Sequence, residues 1–97
     1  ANPKSFSHHQ AGRNFTLINY RLEDVGTKAT VKIFDMKGTL VSTLANNETL
    51  SNTGFFRWDG VDSNGRKVRT GYYIIYFEVF TADGNKKVIK ERVAVGF

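Results

Sequence analysis

Turn signals punctuate this chain roughly every 8–12 residues, and no helical period lasts more than about one turn between them. Asp24-Val25-Gly26-Thr27, Met36-Lys37-Gly38, Asp59-Gly60, Asn64-Gly65 and Asp83-Gly84 supply the turns. The segments between them read as strands. Residues 29–35 (ATVKIFD) alternate, with Val31 and Ile33 on one face and Lys32 on the other. Residues 39–44 return from the Met36-Lys37-Gly38 turn as the second arm of a hairpin. In 14–22 (NFTLINYRL) two period-two sets, Phe15/Leu17 and Ile18/Tyr20/Leu22, are offset by one residue, which predicts a bulge or a switch of buried face. Residues 45–53 (ANNETLSNT) are polar and Asn-rich, and read as a loop or corner crossing. In 54–58 (GFFRW) Phe56 and Trp58 share a face.

Residues 72–80 (YYIIYFEVF) form the longest apolar run and are hydrophobic on both faces. Such a strand is central, covered on both sides or on one side by a partner. Residues 86–95 (KKVIKERVAV) close the chain as its last strand. Two registers fit that last pair. A two-residue Asp83-Gly84 loop sets Ile74 opposite Val93 and Tyr76 opposite Glu91, whereas a one-residue bulge sets Ile75 opposite Val93 and Phe77 opposite Glu91. The fold class is therefore all-β, a sandwich of about seven antiparallel strands. One domain spans 1–97, with 1–12 a linker or first edge strand. The absence of an initiator Met and a signal peptide predicts a piece of a longer or processed chain.

Composition narrows the chemistry. With no cysteine, disulfides, thiolate metal sites and a cysteine nucleophile are excluded. No apolar run approaches the roughly 18 residues a membrane span needs, so no membrane insertion is expected. The net charge of +5 concentrates in Arg66-Lys67-Val68-Arg69 and in Lys86, Lys87, Lys90 and Arg92. These clusters lie at opposite ends of a predicted hairpin and read as solvated strand edge, or as a polyanion site. Neighbouring strand residues point to opposite faces, so His8-His9 does not make a shared metal site, and Ser5 and Ser7 have no oriented acid for nucleophilic catalysis. Asp59, Asp62, Asn64 and Gly65 resemble half of a calcium loop but lack its bidentate Glu; turns explain them as well. Tyr72, Tyr73, Tyr76 and Trp58 read as core, with sugar stacking the alternative. No cofactor, metal or enzymatic activity is implied.

An ordered series carries a resemblance. Val31-Lys32-Ile33-Phe34-Asp35-Met36-Lys37-Gly38-Thr39-Leu40-Val41 precedes Gly54-Phe55-Phe56-Arg57-Trp58-Asp59-Gly60; Asp62-Ser63-Asn64-Gly65-Arg66-Lys67-Val68 and Gly71-Tyr72-Tyr73-Ile74-Ile75-Tyr76 follow. Together they resemble the immunoglobulin-like domain of the flagellar hook-capping type, found also in C-terminal, type IX secretion domains of secreted Bacteroidetes proteins. The resemblance covers about residues 13–95, and its motif positions fall on Trp58, Gly60, Gly71 and Tyr73.

It implies a non-catalytic immunoglobulin-like C-terminal domain of a larger exported bacterial protein. Such a domain is a sorting signal read by the outer-membrane type IX translocon, and leads through the periplasm to the cell surface or the medium. The implied partners are that translocon or a sortase, and a parent-protein domain; nucleic acid is not among them. Relatives often carry acidic residues near the first strand, where this chain reads Ser7-His8-His9-Gln10-Ala11-Gly12, so no N-terminal calcium site is expected. On the last strand, Lys86, Lys87, Val88, Lys90, Arg92, Val93 and Val95 are the expected partner-binding residues. A structural spacer packed on a neighbouring domain, or a module adhering to carbohydrate or another polyanion, are the alternatives.

Overall fold

A computed structural model describes residues 3–10, 16–22, 27–80 and 84–96, the first segment as backbone. Seven strands follow in order: β1 (Pro3–Gln10), β2 (Thr16–Leu22), β3 (Thr27–Asp35), β4 (Leu40–Leu50), β5 (Thr53–Trp58), β6 (Gly71–Phe80) and β7 (Lys86–Val95). They form two antiparallel sheets, β1-β2-β5 and β4-β3-β6-β7. This is the expected immunoglobulin-like sandwich, three strands facing four.

Alternation decides what lies between the sheets. Ile18, Tyr20 and Leu22 of β2 meet Ala29, Val31 and Ile33 of β3 and Tyr73, Ile75, Phe77 and Val79 of β6, all buried. Aromatic rings knit the centre. Tyr20 stacks on Phe56 at 5.7 Å and tilts against Phe77 at 5.8 Å, while Trp58 meets Tyr73 edge-on at 5.3 Å. Such pairs add about 0.5–1.5 kcal/mol each beyond the area they bury.

Three local expectations are corrected. In β2 the buried set is the single series Thr16, Ile18, Tyr20, Leu22, and pairing with β5 runs in unbroken register, so neither a bulge nor a face switch occurs in the described part. The earlier residues Asn14 and Phe15, and residues 24–26 of the expected Asp24–Thr27 turn, lie outside the described residues. The stretch 45–50 is strand, because β4 continues to Leu50. Its pairing to β3 shifts register repeatedly, and Asn47 adopts φ 54° while its N–H donates to the buried Thr30 hydroxyl at 3.0 Å. β4 is an edge strand wetted over much of its surface, so its sequence shows no alternation.

The last hairpin takes neither expected register. Phe80 pairs with Lys86, Ile75 with Glu91 and Tyr73 with Val93, so residues 81–85 make the connection. Asp83 lies outside the described residues, whereas Gly84 holds φ 88°. β6 is central, as expected, but no second layer covers its outer face among the described residues: Tyr72 is 54% and Phe80 37% exposed.

Candidate partner-binding face

β7 is an edge strand, paired on one side to β6. Phe80 opposes Lys86, Tyr76 opposes Lys90 and Ile74 opposes Arg92, so these side chains share the outer face with Val88 and Ala94. Lys86 to Arg92 spans about 20 Å of strand. Lys87 falls on the opposite alternation and stays exposed at the edge. Val93 and Val95 do not serve a partner: they are 4% and 6% exposed and complete the core, because inward alternation carries them under β6.

Further outward residues of β3 join this face: Lys32, as expected on the side opposite Val31 and Ile33, together with Lys28 and Phe34, which sequence reasoning left unassigned. Phe34 pairs with Ile74, Lys32 with Tyr76 and Lys28 with Phe80. Phe34 and Tyr76 meet edge-on at 5.8 Å, and the Arg92 guanidinium sits 4.7 Å from the centre of the Tyr72 ring. The Tyr76 hydroxyl donates to Glu78 Oε2 at 2.6 Å, while Lys86 Nζ lies 3.5 Å from the same oxygen. That hydrogen bond to the carboxylate, with burial, pushes the Tyr76 hydroxyl above its ordinary pKa. An open groove of about 580 Å³ crosses the face, floored by Phe34, Met36, Ile74 and Tyr76 and bounded by Lys90, Glu91 and Arg92 at the β7 edge and by Asp35 at the β3–β4 turn. The signal that could have found its floor is the double-faced apolar run of β6: one face is core, the other is surface.

The motif residues are structural. Tyr73, at the start of β6, donates its hydroxyl to the Arg69 carbonyl at 2.6 Å, forming a tyrosine corner. Trp58 is buried and its indole N–H donates to the Val61 carbonyl at 2.9 Å; Gly60 turns the chain at φ 71° and accepts from Val68 N. Gly71 opens β6 opposite Val95.

The half-resembling calcium loop is a backbone cap. Asp62 Oδ1 accepts from Asn64 N at 2.9 Å and Arg66 N at 3.0 Å, and Asp59 pairs with Arg57. Asp35 does the same in the β3–β4 turn, accepting from Lys37 N and Thr39 N. Among the described residues no group of His, Cys, Asp or Glu is arranged to hold a metal ion. His8, His9, Ser5 and Ser7 have side chains outside the described ones. Of the aromatics weighed for sugar stacking, Trp58 and Tyr73 are core, while Tyr72 and Tyr76 lie on the outer face. The two basic clusters stand apart, since Gly71 pairs with Val95 at one end of the β6–β7 hairpin and Phe80 with Lys86 at the other. No helix among the described residues is long and apolar enough to cross a membrane.

The family profile described as FlgD Ig-like domain matches residues 5–84. No curated protein matches the chain significantly. Among solved structures, dimeric latent PorU from Porphyromonas gingivalis superposes with TM-score 0.73 at 18% identity, over 93% of this chain and 9% of that one. FlgD from P. aeruginosa gives TM-score 0.64 at 22% identity, over 84% of this chain and 62% of that one. FlgD from Xanthomonas campestris, described in terms of hook capping essential for flagellar assembly, gives 0.63 at 24% identity, over 95% and 65%. This chain thus spans a small part of PorU and less than two thirds of each FlgD. These likenesses establish the shared fold.

Proposed function

The chain belongs to the FlgD Ig-like domain family, and from that premise we propose that it is a non-catalytic module of a larger exported bacterial protein, sorted by the type IX secretion translocon and carried to the cell surface. The observation that carries this reading is β7: a sheet edge with no strand on its outer side among the described residues, whose outward Lys86, Lys90 and Arg92 stand in one row. The family match stops at residue 84, so this basic strand lies outside the matched region. A signal read after folding must be a surface, and an edge strand offers both backbone hydrogen-bonding groups and a charged row. The residue-level resemblance to secreted C-terminal domains supports the same reading.

The test is export of an inert, signal-peptide-bearing carrier fused ahead of residues 1–97 in a type IX host. Truncation before Lys86 would strip Val93 and Val95 from the core, so K86E/K90E/R92E is the informative variant. Carrier outside the cell with the natural sequence, and in the periplasm with the variant, is the expected result. Retention of both carriers with folded domains overturns the sorting role.

A spacer packed on a neighbouring domain is the second reading, favoured by the exposed apolar side chains Tyr72, Phe80 and Val88 on one face. Export would then ignore the triple charge reversal.

A further inference from the structure

The outer face of β3-β6-β7 combines three features in one place. Its groove has an apolar floor of Phe34, Met36, Ile74 and Tyr76. Its charges are mostly basic: Lys28, Lys32, Lys86, Lys90 and Arg92 face outward, against Glu78, which Tyr76 and Lys86 engage, Asp35, which caps the amides of its own turn, and Glu91 at the groove's β7 border. Its border is the free backbone edge of β7.

We propose that this face docks an extended acidic segment of a separate protein, lying along β7 with carboxylates at Lys90 and Arg92 and an apolar side chain in the groove. The inference rests on the export reading only for which protein carries the segment. Charge complementarity selects the occupant. A second copy would bring a like-charged face against this one, which opposes a dimer here. A glycan would need ring faces to stack on, but Phe34 and Tyr76 stand at 81° to each other and Arg92 occupies Tyr72. An acyl chain would need an enclosed cavity, whereas this groove is open along its length. A polypeptide uses all three features, because strand addition supplies main-chain hydrogen bonds while alternate side chains reach the sheet's face. Alternation also matches the surface: every second residue of an added strand points the way Lys90 and Arg92 point.

The probe is a short capped peptide alternating aspartate and leucine, titrated against the whole 97-residue chain. Saturable binding is expected, with new amide-exchange protection along Lys86–Val95 of β7. The K90E/R92E variant should weaken binding at least about tenfold, while R66E/R69E, which changes net charge equally away from β7, should alter it by less than about twofold. Equal losses in both variants overturn the proposal, because they report only net charge. So does binding of heparin or of phosphatidylglycerol vesicles in place of the peptide, or a chain that sediments as a dimer dissociated by K90E/R92E. Export failure in K86E/K90E/R92E, when the natural chain itself binds no peptide, overturns this inference and leaves the export reading standing. Peptide binding by the natural chain, with export untouched by that variant, does the reverse.

Discussion

Gly54 shows how one missing side chain organises the sandwich. A Cβ built there would collide with the ring of Tyr20, which Phe56 and Phe77 hold from other sides. Phe56 and Phe77 limit where the ring can move, so Gly54→Ala should destabilise the fold by about 1–3 kcal/mol, read from urea unfolding. An unchanged midpoint would mean that Tyr20 can repack. Tyr73 makes a different contribution. Its hydroxyl ties β6 to the Arg69 carbonyl, and Tyr73→Phe keeps the ring against Trp58 while orphaning that carbonyl. A loss of about 1 kcal/mol is expected in thermal or urea unfolding, with peptide binding unaltered. A drop in binding of the same variant would place Tyr73 in recognition rather than in the corner.

The elements depend on turns built alike. Asp35-Met36-Lys37-Gly38-Thr39 and Asp62-Ser63-Asn64-Gly65-Arg66 each place a carboxylate oxygen on the amides two and four residues on, with glycine at φ 89° and 80°. Asp62→Ala should cost about 1 kcal/mol, because both bonds are exposed and water competes for them. Added calcium should not raise the melting temperature of the natural chain, since the carboxylate serves amides. A calcium-dependent rise in the natural chain that Asp62→Ala abolishes would revive a metal role. This local chemistry explains what was legible in sequence: Asp, Asn and Gly announce turns within a few residues, and the strands between them follow. β4 was legible only in its first half. Its outer half pairs as an edge wetted on both sides, so residues such as Asn46, Asn47 and Glu48 carry no burial pattern. The last register was hidden because it depends on loop length, and Asp83-Gly84 suggested a tighter connection than 81–85 provides. In the candidate site the cations could be read from composition. Its apolar floor could not, since Ile74, Tyr76 and Phe34 look like core until the second sheet is placed on the other side of β6.

Across the whole molecule, tyrosines couple both sheets to alkaline pH. Tyr20 on β2 and Tyr73 and Tyr76 on β6 all have hydroxyls held above the ordinary pKa of about 10. Burial dominates for Tyr20 and Tyr73, with the Asp35 charge adding at Tyr73; the Glu78 hydrogen bond dominates for Tyr76. In each case the folded chain keeps its proton to higher pH than the unfolded chain does. The unfolded state therefore binds fewer protons above about pH 10, and stability falls as pH rises through that window, being fully present below it. Because the three groups sit on separate parts of the two sheets, their contributions should act together on one cooperative transition. Thermal unfolding followed from neutral pH upward should show a flat melting temperature that turns down near pH 10. Tyr76→Phe should make that alkaline fall shallower, since one proton-holding group is gone, while leaving Glu78 to Lys86. A melting temperature that stays level well beyond pH 10 would show that these hydroxyls ionise in the folded chain as freely as in the unfolded one.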